Sequence, residues 1–247
     1  MKDVAAILKL VQDSGVSPKA KEHVCQFCQR EFTKLSTLST HLCEPKRRVQ
    51  QSQEVGVQLG FQTFNRFYQM TQGPGKAKSY DDFIKSTYYT AFVKYGRYLV
   101  DIKAVNAEKF TEWLFKNNKR LDDWCKDSLY STWLLDFISK ENTQDALERS
   151  LRVMQEYADN DKILEENFTN YFKLGSSNRI CHHITHGRIS PWVIFNCNTG
   201  INWLEGLSEE QLGIIMPWIN PEVWNKKFNI YKSDVLWIKG ILSEVGL

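Results

Sequence analysis

Apolar residues settle into a helical period at Val57, Phe61, Phe64 and Tyr68, which places them as one stripe on one side of a helix. Gly73-Pro74-Gly75 closes the stripe, because neither residue type continues a helix well. Ahead of it, Val4 to Val11 predicts a short amphipathic helix, and Ser14, Gly15, Ser17 and Pro18 predict the turn after it. Glu44 to Glu54 is polar and basic and reads as a connection. From Ser79 onward the helical period recurs together with start signals: Ser79 with Asp82, Asn106 with Glu108 close behind, Thr143, and Ser208 with Gln211. Ile189 to Cys197 fits a short strand or a buried helix, since periodicity does not separate the two over so short a run. No internal repeat or low-complexity tract interrupts the pattern.

Between Ser79 and Val105, Tyr88, Phe92, Tyr95 and Leu99 share a helical face and form the expected core side. Lys94, Arg97 and Tyr98 form a second patch at spacings of three and four. That patch fits the solvated side of an amphipathic helix, and it also fits a surface that stacks on bases and holds phosphates.

Composition places the chain among folded globular proteins: 247 residues, 42% hydrophobic, 25% charged, with eight Trp. All eight Trp lie at or beyond position 113, so the C-terminal part is the expected main body, with these rings as packing residues. No apolar run approaches the roughly 18 residues that cross a bilayer, which argues against a membrane partner or a secreted protein. The six cysteines divide into three clustered (Cys25, Cys28, Cys43) and three scattered (Cys125, Cys181, Cys197), a distribution that fits a reducing cytoplasm. The net charge of +3 is local: Lys19 to Arg48 holds seven basic and three acidic residues, leaving the remainder slightly acidic. That asymmetry points the N-terminal segment toward an anionic partner.

The clustered cysteines sit in Cys25-Gln-Phe-Cys28-Gln-Arg-Glu-Phe32, followed by Leu38, His41 and Cys43. A tight knuckle aims two thiolates at one point, a helix brings His41 to it, and Phe32 with Leu38 forms a miniature core. This segment resembles the two-Cys, two-His zinc finger in every spacing from Cys25 to His41. The resemblance implies a ββα unit, a Zn2+ cofactor and folding driven by metal binding. It departs at the fourth ligand, where Cys43 replaces the second His and lies too close to His41 to share its helical face. The helix is therefore expected to end near His41, with Pro45 helping the turn, and His23 is an outside candidate for the same role.

By the same resemblance, the base-reading helix positions correspond to Lys34, Thr37 and Thr40. Only Lys34 is long and charged, and a single finger covers about 600–1,000 Å² of interface, so sequence-specific readout by this finger alone is not expected. Lys46, Arg47 and Arg48 follow directly and favour phosphate contacts over a merely solvated linker. Nucleic acid, with DNA favoured, is the expected partner.

The joint Cys43-Glu44-Pro45-Lys46-Arg47-Arg48 leading into a Trp-rich helical body resembles uncharacterised finger-bearing proteins of large contractile-tailed phages. That resemblance implies a role in phage DNA metabolism, DNA-end handling or virion assembly, with phage proteins as further partners, in the host cytoplasm or the virion. It implies no known active site.

Cys181 to Trp192 holds three of the five histidines. His182 and His186 could share a helical face, yet the Glu of a zinc-protease motif is missing. The stretch also carries a faint helix-turn-helix pattern, with Gly187 at the turn and Ser190 opening a second helix. A cluster of satisfied or surface histidines is the favoured account of it. The Gly73 to Ala77 segment lacks the first Gly and the Ser/Thr of a phosphate-binding loop. Asp81-Asp82, Asp122-Asp123 and Glu165-Glu166 have no spacing that marks catalysis, because consecutive residues do not face one another on a helix.

The expected fold class is mainly α, with a small ββα zinc finger ahead of a larger helical domain. The divisions are 1–22 (helix and linker), 23–48 (finger with basic tail) and 49–247 (Trp-rich helical domain), the boundary lying between Cys43 and Val57. Two other readings stand beside nucleic-acid binding: a nucleic-acid-processing enzyme using His182, His183 and His186, and a phage structural protein with the finger as a docking module.

Overall fold

The computed structural model describes residues 23–73, 75 and 77–247. The helix expected over Val4 to Val11 lies outside these, and Pro74 and Lys76 of the glycine-proline turn do too. The fold is mainly α, with one two-stranded antiparallel sheet near the N-terminus. In that sheet β1 (His23–Val24) pairs with β2 (Glu31–Phe32), His23 opposite Phe32 and Val24 opposite Glu31. Two short helices follow, α1 (Leu35–Thr40) and α2 (Glu44–Gln50). The segment expected to be a polar connection is thus helical, continued by a 3-10 turn at Gln51–Gln53. Glu44 and Pro45 in its first turn are the helix-start signals that its lack of apolar periodicity masks.

The body opens with α3 (Val55–Gln72), α4 (Tyr80–Lys85) and α5 (Tyr89–Asp101). The axes of α3 and α5 approach closely because glycine faces backbone at the crossing. A Cβ on Gly96 would lie 2.0 Å from Gly56 O and 2.5 Å from Gly60 N, and one on Gly60 would lie 2.6 Å from Phe92 O. Around the crossing, Phe64, Phe67, Phe83, Phe92, Phe115 and Trp124 meet largely edge-on, with centroids 5.1–6.2 Å apart. Each fully buried ring contributes roughly 1.5–3 kcal/mol by leaving water. Phe92, Tyr95 and Leu99 are buried as expected, but Tyr88 is exposed and Tyr89 takes the inward place. Tyr88 is the N-cap residue and precedes the helical register.

Next come α6 (Ala107–Lys116), α7 (Asp127–Lys140) and α8 (Thr143–Asn160). Short 3-10 turns then lead to α9 (Tyr171–Leu174) and α10 (Ser177–Thr185). The chain closes with α11 (Pro191–Ile194), α12 (Asn198–Glu205), α13 (Glu209–Ile219), α14 (Pro221–Ile230) and α15 (Lys232–Glu244). Ser79 with Asp82 and Ser208 with Gln211 form complete capping boxes, and Asn106 caps α6. At α8 the cap is Asn142, one residue before the expected Thr143. Ile189 to Cys197 resolves as the four-residue α11, all of it buried, packed against α8, α12 and α15. Beneath it, Glu141 is buried with Arg149 2.6 Å away and accepts from Ser190 Oγ at 2.6 Å. Lys227 donates to the carbonyls of Ser139 and Glu141 between the rings of Trp192 and Trp224. Five of the eight Trp are buried, in keeping with a packing role. Among the described residues no helix is long and apolar enough to cross a membrane.

Candidate metal centre and the basic helix

The knuckle between the strands is made by backbone bonds. Cys25 N–H donates to Arg30 O at 2.9 Å, and Gln29 N–H donates to Cys25 O at 2.8 Å. Closing so tight a turn puts Gln29 at φ 60°, a conformation in which glycine carries no steric cost. Both thiols then face one point. From the other side α1 stops at Thr40, and His41 turns the chain with extended backbone (φ −66°, ψ 122°). Cys43, the N-cap residue of α2, returns to the same point. The helix break expected from the His41–Cys43 spacing is therefore present.

The four donor atoms of Cys25, Cys28, His41 and Cys43 lie within 4.8 Å of one another. Cys25 Sγ and Cys43 Sγ are 3.8 Å apart, and Cys28 Sγ is 3.2 Å from His41 Nε2. A tetrahedral zinc bound at about 2.3 Å by sulfur and about 2.0 Å by nitrogen needs S···S near 3.8 Å and S···N near 3.5 Å. The donor set fits such an ion in chemistry, and the Cys25–Cys43 and Cys28–His41 edges are close to its lengths. His23 belongs to the strand ladder and not to this group, so Cys43 completes the cluster.

Desolvation raises the Cys25 thiol, but the backbone N–H groups of Cys28 and Phe27 outweigh it and hold the thiol below its ordinary pKa. The Arg30 amide lowers the Cys28 thiol, yet desolvation and the neighbouring Cys25 and Cys43 thiols leave it raised. Crowded thiolates resist the second ionisation, a repulsion that a bound cation relieves. The Phe32 ring lies 4.7 Å from the His41 ring and fixes the imidazole, with Leu38 half-buried alongside.

The chain matches no family model, no curated protein and no solved structure.

Lys34, Thr37 and Thr40 are all exposed on the finger. Thr40 Oγ1 is occupied by the Ser36 carbonyl at 3.1 Å, which is the ordinary local bond of a helical Thr. Lys34 makes no hydrogen bond to the described residues. The three basic residues after Cys43 have separate fates. Lys46 Nζ donates to His41 O at 3.0 Å, and Arg47 pairs with Glu44 on the surface. Arg48 turns inward: Nη1 donates to Ile84 O at 2.5 Å, Nε meets Glu44 at 3.1 Å, and the guanidinium lies 4.4 Å over the Tyr89 ring. The Arg48 carbonyl in turn accepts from Tyr80 Oη at 2.9 Å. Hydrogen bonding from Arg48, with Arg47 nearby, holds the Glu44 carboxyl below its usual range. Arg48 is thus the brace between finger and body, a role that its place in a basic run conceals.

Arg97 of the second patch is held by Glu54 through two bonds of 2.6 and 2.7 Å, and Tyr98 Oη donates to Asp127 at 3.0 Å. With Arg47 and Lys94, which has no ion-pair partner among the described residues, they line a cavity of about 580 Å³ between α2 and α5. Among the carboxylate pairs, Asp82 serves its capping box and Asp123 pairs with Lys126 at 2.7 Å. Glu165 and Glu166 form a left-handed turn.

In the histidine stretch, the rings of His182 in α10 and His186 at its C-cap lie with centroids 3.9 Å apart, tilted by 39°. His183 is buried, with Nδ1 2.6 Å from Tyr171 Oη. The finger donors are the one compact metal-type group among the described residues. Gly187 does sit at a turn (φ 67°) and Ser190 does cap α11. A four-residue helix buried on every side has no face to lay in a DNA groove, so the helix-turn-helix pattern ends there.

Proposed function

We propose that this chain is a zinc-finger nucleic-acid-binding protein whose affinity is directed to the phosphate backbone, with DNA favoured. The observation that carries it is the four-donor cluster, which could hold one metal ion in a unit where Lys34 and Arg47 are exposed and Lys46 lies half-buried against His41 O. A zinc bound by four protein ligands leaves no open position, so the metal's part is structural. Thr37 and Thr40 are short and Thr40 is engaged locally, which supports backbone contact over base readout. Arg48 is engaged in fixing α2 on the body and is not one of the phosphate contacts. The setting that the Cys43-to-Arg48 joint suggests is phage DNA handling or virion assembly.

The test is the salt dependence of binding to unrelated DNA sequences. Affinity should fall steeply as salt rises, change little with sequence, and drop when Lys34, Lys46 and Arg47 are replaced together by Gln. Salt-independent binding, or unchanged binding by the triple variant, would overturn the reading. A second reading, the finger as a protein-docking module, is favoured by the exposed Phe27, Leu35 and Leu42 on the same unit. Absence of DNA affinity combined with co-sedimentation on assembled particles would select it.

A further inference from the structure

A cleft of about 820 Å³ opens in the body, lined by Lys103, Arg179, His182, His183, His186 and Arg188, with no finger residue in its wall. Its cations are unequally engaged. Arg188 meets Glu156 at 3.2 Å, whereas Arg179 lies 4.9 Å over the Tyr157 ring with no carboxylate partner among the described residues. Lys103, just past α5 at φ 48°, has none either. Of the carboxylates in the wall, Asp127 already accepts from Tyr98 Oη, Glu156 is on Arg188, and Asp101 sits exposed at the end of α5.

The buried wall is His183. Burial keeps the Tyr171 phenol protonated, and because its hydroxyl has no other partner among the described residues, its proton is satisfied by donation to His183 Nδ1 at 2.6 Å. The imidazole proton then resides on Nε2, which makes no hydrogen bond to the described residues. The neighbours acting on this imidazole, after burial itself, are Arg188, His182, Arg179 and Lys103. Every one is cationic or a potential donor, so the neutral N–H is offered beside Arg179, Arg188 and Lys103.

We propose that this cleft binds a phosphate monoester, with Arg179, Arg188 and Lys103 neutralising its charge and His183 Nε2–H donating from the buried wall. A monoester carries about −1.5 to −2 charge and three terminal oxygens, and so uses more of these donors than a diester does. Planar guanidinium groups match two of those oxygens at once. The site stands independently of the finger. The monoester has two sources, a nucleotide or strand terminus and free inorganic phosphate.

The experiment titrates the full zinc-loaded chain with three probes: inorganic phosphate, a 5′-phosphorylated dinucleotide, and the same dinucleotide without the phosphate. The phosphorylated dinucleotide should bind at least about tenfold tighter than the unphosphorylated one. Lys103→Gln with Arg179→Gln should erase that difference, while Lys34→Gln with Arg47→Gln on the finger should preserve it. Both cleft side chains are exposed, so the variant should fold, and an unchanged melting temperature checks this. Inorganic phosphate binding as tightly as the phosphorylated dinucleotide supports the site with free phosphate as its ligand; weaker binding supports a strand terminus. Equal affinity for both dinucleotides, absence of binding by any probe, or full affinity in the cleft variant would overturn the proposal. The finger variant, in which the difference should persist, separates these outcomes from phosphate binding by the finger.

Discussion

At the scale of single residues, Cys43 is the position where a departure from a familiar pattern is resolved by geometry. Its sulfur stands 3.8 Å from Cys25 Sγ, while His23 is tied into the strand pair. Freshly purified protein should therefore contain one zinc per chain by metal analysis. Cys43→Ala should lower zinc retention and His23→Ala should not; the reverse order would reassign the fourth ligand. His183 supplies a second residue-level expectation, through pH. Burial first, then the neighbouring cations, lowers its pKa from 6.5 to about 3. Below pH 6.5 the unfolded chain takes up this proton and the folded chain does not, so stability is lost as pH falls from 6.5 toward 3. This one group costs about 1.4 kcal/mol per pH unit in that window, or about 2 kcal/mol by pH 5. Melting curves at pH 7 and pH 5 should show that His183→Gln loses less stability on acidification than the parent. Equal losses would place the imidazole in a wetter site.

At the scale of elements, the crossing of α3 and α5 depends on absent side chains. Ala is the better helix former by about 1 kcal/mol, but at Gly96 its Cβ would overlap Gly56 O and Gly60 N. Overpacking against backbone outweighs that gain, and Gly96→Ala should cost about 3 kcal/mol, lowering the melting temperature by roughly 6–12 °C. Gly213 in α13 is the matched control, because a Cβ there meets nothing within 4 Å. Gly213→Ala should raise stability by up to about 1 kcal/mol. Helix α2 offers a crossed pair. Arg47→Ala, on an exposed ion pair, should leave stability within about 0.5 kcal/mol and weaken DNA binding. Arg48→Ala should cost about 1–3 kcal/mol and leave DNA binding nearly intact, because its bonds go to Ile84 and Tyr89. What was legible in the sequence follows from the same physics. Caps announce themselves locally, and Ser79–Asp82, Ser208–Gln211 and Asn106 were readable for that reason. The knuckle and its ligands were readable because metal geometry imposes fixed spacing. Helix α2 was not, since a helix docked by one Arg carries no apolar stripe. Tyr89 was missed because the register begins one residue later than spacing implied, and the convergence of Lys103, Arg179 and His183 depends on tertiary packing.

At the scale of the whole molecule, the contiguous core begins at Val57 and contains no finger residue. Chelation should therefore shift the main melting transition by only a few degrees, while trypsin gains access at Lys34, Lys46 or Arg47. Collapse of the main transition on chelation would mean that the body leans on the metal. The brace also sets a sequence of events. The four donors span only positions 25 to 43, whereas the carbonyl that receives Arg48 lies at Ile84, 36 residues further along. Short loops close at less entropic cost than long ones. During synthesis the whole ligand span from Cys25 to Cys43 emerges ahead of Ile84 and Tyr89, so the finger can capture its ion first. During that interval α2 has Glu44 and Pro45 in its first turn but an Arg48 with no carbonyl to hold, so the nascent chain shows its basic helix ahead of its own scaffold.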